Sequence, residues 1–278
     1  MLMLQLIYDE RGGVLYRRWQ AQEPKAVLLL VHGLGAHTGR WESLGDFFQK
    51  NNISSYALEL KGFGRTQGER GDVDSLDTYF QDIRSLYDII RQENPDKKIF
   101  LLGESMGALI CFLFAVSAPR LFSGLICISP AFAGKLHFNL WTYLNIGLAL
   151  IFNPKRHFPV PITPRMCTQD TEYQKIIDVD PLDKHTATAR LYWNIIKAQQ
   201  RVKSLTDKII PPLLAITAGE DTVVDSLSTR KIFNSLRIKD KEIINYAGMR
   251  HALSVDLGKE KVFGDILRWL EKIMRGLL

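Results

Sequence analysis

The sequence predicts an α/β protein: a mainly parallel sheet of about eight strands, covered by helices on both faces, with one segment inserted after the sixth strand. Three observations carry that reading. Uninterrupted apolar runs such as Ala26 to Val31 (AVLLLV) suit central parallel strands, because helices bury both of their faces. Apolar residues at helical spacing recur between those runs, giving βαβα alternation with right-handed crossovers. Between Pro130 and about Asp207 the alternation stops.

In chain order, Leu4 to Tyr8 and Val14 to Trp19 flank Asp9-Glu10-Arg11-Gly12-Gly13 and read as an edge hairpin. Ala26 to Val31 ends at His32-Gly33-Leu34-Gly35. A helix over 40–50 precedes the strand Ile53 to Leu58, and a helix over 75–91, capped by Asp74 and ended by Pro95, precedes the strand that begins at Lys98. Further strands are expected at Gly124 to Ser129, Leu213 to Ala218 and Lys241 to Tyr246. Helices are expected over 108–117, 225–236 and 259–274, the last with Val262, Phe263, Ile266, Leu267, Leu270 and Ile273 on one face. The core is thus 1–130 with 208–278, and the insertion 131–207 is read as a lid.

Composition narrows the function. At 278 residues, 46% hydrophobic and 24% charged, the chain can bury a large single core. Its formal charge of +6 is scattered, with no basic run, which argues against nucleic acid and leaves a mildly anionic lipid surface as the natural partner. Cys111, Cys127 and Cys167 are too few for a disulfide framework, and the stretch from Met1 to Ile7 has no basic region like that of a signal peptide. A reducing, cytoplasmic setting is expected. There is no metal-binding spacing, and no phosphate-cradling loop calls for a cofactor.

Gly103-Glu104-Ser105-Met106-Gly107 fits G-x-S-x-G directly after an apolar strand and before an almost uncharged helix. A serine on such a sharp turn has strained backbone angles, and the glycines remove Cβ atoms that would collide with the neighbouring strand and helix. Ser105 is therefore the candidate nucleophile. Its base and orienting acid should follow later strand ends: His251 lies beyond the last strand, and Asp221 directly follows Leu213 to Ala218. Glu220 and Asp225 are the competing acids, with Asp225 better placed to cap the next helix. The Leu34 and Met106 N–H groups are the expected oxyanion donors, and His32 is expected to brace its loop.

These motifs, together with His37-Thr38-Gly39-Arg40-Trp41, Gly62-Phe63-Gly64-Arg65-Thr66 and Asp180-Pro181-Leu182, resemble the monoacylglycerol lipase and lysophospholipase group of α/β-hydrolases over nearly the full chain. Glu59, Thr66, Ala108 and Ala252 depart from the group's usual residues without touching the candidate triad. The resemblance implies the α/β-hydrolase fold, cofactor-free cleavage of a single-chain lipid ester, and an amphipathic cap that meets lipid. Head group, acyl length and oligomeric state do not carry over with it.

The inserted segment carries its own signals. From Ser105 to Gln169 there is no Asp or Glu, while Lys135, Lys155, Arg156 and Arg165 accompany an apolar tract over 136–152. That tract is shorter than the roughly 20 residues of a membrane span and is interrupted by Asn139, Thr142, Asn145 and Gly147. Peripheral membrane contact is the expectation, with Trp141, Leu144 and Leu148 in contact with substrate.

Overall fold

A computed structural model of the chain describes residues 6–9, 13–136 and 138–276; Met1, Leu4, Glu10, Arg11 and Gly12 of the readings above lie outside them, as does one position of the apolar tract over 136–152. The first half lays down β1 (Leu6–Asp9), β2 (Val14–Trp19), β3 (Ala26–Val31), α1 (Glu42–Lys50), β4 (Ile53–Glu59), α2 (Leu76–Glu93), β5 (Lys98–Glu104), α3 (Met106–Ser117) and β6 (Gly124–Ile128). The next stretch adds α4 (Leu140–Phe152), β7 (His157–Pro159), α5 (Pro164–Cys167), α6 (Thr171–Val179), β8 (Thr186–Thr188) and α7 (Ala189–Val202). The chain then returns to the sheet with β9 (Leu213–Ala218), α8 (Ser226–Ser235), β10 (Lys241–Tyr246) and α9 (Lys259–Met274).

The main sheet has eight strands in the order β1-β2-β4-β3-β5-β6-β9-β10. Only β2 runs against the rest, since it pairs antiparallel with both β1 and β4 while every other neighbouring pair is parallel. Every residue of β3 and β4 is buried, as expected of apolar runs covered on both faces. The alternation of side chains shares β3 between two cores. Val27, Leu29 and Val31 pack with α2 and α3 on one face, and Ala26, Leu28 and Leu30 pack with α1 and α9 on the other.

Local chemistry sets the helix ends, and several differ from expectation by a residue or two. Ser75, not Asp74, caps α2, its hydroxyl accepting from the Asp77 N–H at 3.1 Å, and Asp74 instead pairs with Arg190. α3 begins at Met106, so Ser105 is itself the residue before the first turn. α7 begins at Ala189 because Thr186–Thr188 forms β8, which pairs antiparallel with β7. That small two-stranded sheet folds within the insertion. Among the described residues, no helix is long and apolar enough to cross a membrane.

Candidate active site

The elbow between β5 and α3 has the backbone that the glycine pattern requires. Ser105 sits at φ 57°, ψ −121°, a region L-residues rarely occupy. A Cβ on Gly107 would come within 2.1 Å of the Val31 carbonyl oxygen on β3, and one on Gly103 within 2.5 Å of Gly107. Both glycines are therefore fixed by close backbone approach. The turn is held by the Ser105 N–H donating to the Ile128 carbonyl at 2.9 Å, and by the Ser105 carbonyl accepting from the Ala131 N–H at 3.1 Å.

Three side chains from separate strand ends meet here. The Ser105 hydroxyl lies 2.9 Å from His251 Nε2, and His251 Nδ1–H donates to Asp221 Oδ2 at 2.8 Å. Asp221 Oδ1 accepts from the Val223 and Val224 N–H groups at 2.8 and 2.9 Å. Burial alone would raise the Asp221 carboxyl, but the bonds from His251, Val224 and Val223 outweigh it and hold the group below its ordinary value. Asp221 is thus a buried, fully bonded anion that orients the imidazole. Asp225 is elsewhere, capping α8 by accepting from the Leu227 N–H at 3.0 Å.

The loop after β3 closes over the elbow, since a Cβ on Gly33 would stand 3.1 Å from Ser105 Cβ. Leu34 and Met106 both line a cavity that includes Ser105, and their N–H groups take no part in the bonds that hold the turn. His32 braces this loop: Nδ1–H donates to the Gly33 carbonyl at 2.9 Å and Nε2 accepts from the Leu60 N–H at 3.1 Å. Burial lowers its imidazole to about 3, so it is neutral.

Two cavities open at Ser105. One of about 320 Å³ has a largely apolar wall that includes Leu136, Phe138, Tyr143, Val160 and Ile195. The other, about 80 Å³, has His251, Arg40 and Asp183 in its wall. Trp141, Leu144 and Leu148, expected at the substrate, line neither of these two cavities. They are 75%, 50% and 56% exposed, because α4 turns Ile146 and Ala149 toward the protein and these three outward.

Three carboxylates that sequence patterns did not single out hold the surroundings. Glu104, inside the nucleophile motif, is buried and bonded to Ser254. Asp256 accepts from the Arg250 and Gln169 N–H groups, both at 2.6 Å, and so joins the histidine loop to the insertion. Asp183 is ion-paired with Arg40. His37, Asp180 and Asp183 place one possible metal-ligand atom each within 4.8 Å of one another. That set is already committed, since His37 Nδ1 accepts from the Gly39 N–H, its Nε2–H donates to Asp180, and Arg40 already neutralises Asp183.

A nucleophile elbow at the carboxyl ends of a mostly parallel sheet, with its histidine and aspartate on later strand ends, defines a serine hydrolase of the α/β-hydrolase fold. The chain belongs to the Hydrolase_4 family, described as serine aminopeptidase S33, whose profile matches residues 22–258. It is 26% identical to the monoglyceride lipase of Mus musculus over 264 residues, covering 91% of this chain and 85% of that one. Among solved structures, a soluble variant of monoglyceride lipase from Saccharomyces cerevisiae in complex with a substrate analog superposes with TM-score 0.87 at 22% identity, covering 98% of this chain and 96% of the other. The monoacylglycerol lipase of Paleococcus ferrophilus gives TM-score 0.84 at 24% identity, covering 94% and 99%.

Proposed function

We propose that the protein is a serine ester hydrolase that releases a fatty acid from a single-chain lipid ester, with monoacylglycerol as the leading substrate. The observation that carries this is the position of Ser105 where the larger, largely apolar cavity meets the His251 loop. An acyl chain in that cavity presents its carbonyl carbon to Ser105 Oγ. His251 Nε2 takes the serine proton as the bond forms, Asp221 steadies the imidazolium, and the Leu34 and Met106 N–H groups hold the oxyanion. Collapse expels the alcohol, which leaves with the proton from His251, and the acyl group remains on Ser105. A water then attacks the acyl-enzyme, giving its proton to His251. Release of the fatty acid returns that proton to Ser105.

Residues 131–207 form the cap of this reading, with 1–130 and 208–278 as the catalytic core. The exposed face of α4 carries Leu140, Trp141, Leu144, Leu148, Ile151 and Phe152, and Lys155 and Arg156 follow it. An apolar face bordered by basic side chains suits a peripheral contact with an anionic lipid surface, and the setting we infer is cytoplasmic.

Purified protein assayed on monoacylglycerols, lysophospholipids, acyl thioesters, short nitrophenyl esters and an aminoacyl anilide tests the reading. Free fatty acid from monoacylglycerol, with a fluorophosphonate adduct mapped to Ser105, is the expected result. Faster cleavage of the thioester or anilide would move the protein to another chemistry. No adduct and no turnover would make it a binding protein on a hydrolase fold.

A further inference from the structure

The two cavities at Ser105 divide the substrate. On the esterase reading above, on which this inference rests, the departing alcohol takes its proton from His251 Nε2 and so must lie on the histidine's side. His251 is in the wall of the smaller cavity, which therefore receives the alcohol, while the acyl chain takes the larger one.

Asp183 is the unusual member of that smaller wall. Its side chain is 3% exposed, and its Oδ2 is ion-paired with Arg40, but its Oδ1 is buried without any hydrogen-bond partner. His37 does not supply one, because its Nε2 is 3.9 Å away and donates to Asp180 at 2.8 Å. Buried acceptors left without a donor are rare and costly, so a site that keeps one invites a donor from a ligand.

We propose that Asp183 sets the specificity for the leaving alcohol, its carboxylate accepting a hydroxyl of a small uncharged polyol while Arg40 neutralises the charge. Size agrees. At about 10–15 Å³ for each water-sized position, the cavity of about 80 Å³ offers roughly five to eight positions, close to the heavy-atom count of a glycerol unit.

The test compares kcat/KM for a 1-monoacylglycerol with that for the ethyl ester of the same fatty acid, whose leaving group has no second hydroxyl. In Asp183→Ala the ratio of the two values should fall by about tenfold or more, as expected for losing one bond to a charged acceptor. Should that variant not fold, Asp183→Leu combined with Arg40→Met removes both charges at similar volume and is expected to show the same fall. A smaller change in the ratio overturns the proposal, even if both rates drop together. Wild-type protein that cleaves neither ester would instead sink the esterase reading.

Discussion

Glu104 grips Ser254 through both of its donors, the backbone N–H at 3.1 Å and the hydroxyl at 2.7 Å. The residue before the nucleophile thereby anchors the loop just beyond His251. Burial raises the Glu104 carboxyl above its ordinary value, although the Ser254 bonds and nearby His251 oppose the shift. A carboxyl raised in the folded state contributes stability that is full below its unfolded value and is lost as pH climbs through the folded one. Glu104→Gln cannot ionise, so its stability should improve relative to wild type between mildly acidic and mildly alkaline pH. Urea unfolding at the two pH values checks this, and a difference that stays constant or moves the other way contradicts it.

Removing the nucleophile should abolish ester hydrolysis without unfolding the chain. Ser105→Ala and His251→Ala are each expected to lower kcat by on the order of 10⁴ or more, and Asp221→Asn somewhat less. Asp225→Ala removes only the α8 cap, worth about 1 kcal/mol of stability, and should leave kcat close to wild type. Steady-state assays on one nitrophenyl ester, with melting curves alongside, separate the two aspartates. A larger loss of kcat in Asp225→Ala than in Asp221→Asn would reverse their roles.

Much of this site was legible in the sequence because its parts are local. Apolar runs mark β3, β5 and β9 whatever surrounds them, and the strained elbow writes itself as G-x-S-x-G. The stretch between β6 and β9 was less legible. β7 and β8 are three residues each and lie 29 positions apart from His157 to Thr186, too short for any period and defined only by each other. Ser75 and Asp74 are both good caps, and only the tertiary pull of Arg190 on Asp74 decides between them. α4 is apolar nearly all round, so no stripe reports which side packs inward, and Trp141, Leu144 and Leu148 could not be placed from spacing. The lone oxygen of Asp183 is wholly a product of tertiary contacts.

The insertion is fastened to the core by an ion pair that can be tested alone. Arg190 on α7 pairs with the buried Asp72 and with the exposed Asp74, and Thr188 donates its hydroxyl to Asp72 at 2.5 Å. Burial works to raise the Asp72 carboxyl, but the Arg190 and Thr188 bonds prevail and hold it low. Arg190→Met leaves a buried carboxylate short of its cation, a change that costs about 3–5 kcal/mol for fully buried pairs and less here because Arg190 is partly exposed. Adding Asp72→Asn should recover much of the loss. Denaturant midpoints for the two single variants and the double variant measure the coupling; additive losses would mean that the pair does not fasten the insertion.

The exposed face of α4 supplies the last prediction. Leu140, Trp141, Ile151 and Phe152 are each at least 73% exposed, a cluster that water tolerates poorly and that a lipid interface would cover. Each basic residue near an anionic surface adds about 1 kcal/mol of attraction that salt screens, so the protein should sediment with anionic vesicles at low salt and less at high salt. Trp141→Ser with Leu144→Ser should weaken that binding, since both side chains point away from the core. Because neither residue lines the cavities at Ser105, kcat/KM on a short soluble ester should hold near wild type, while the apparent KM for vesicle-borne monoacylglycerol rises. Tyr143 does line the larger cavity, so Tyr143→Ala should affect a long-chain ester even in detergent solution. Equal losses on soluble and vesicle-borne substrates in the Trp141/Leu144 variant would mean that α4 merely supports the fold, and failure to bind vesicles at any salt would remove the membrane role.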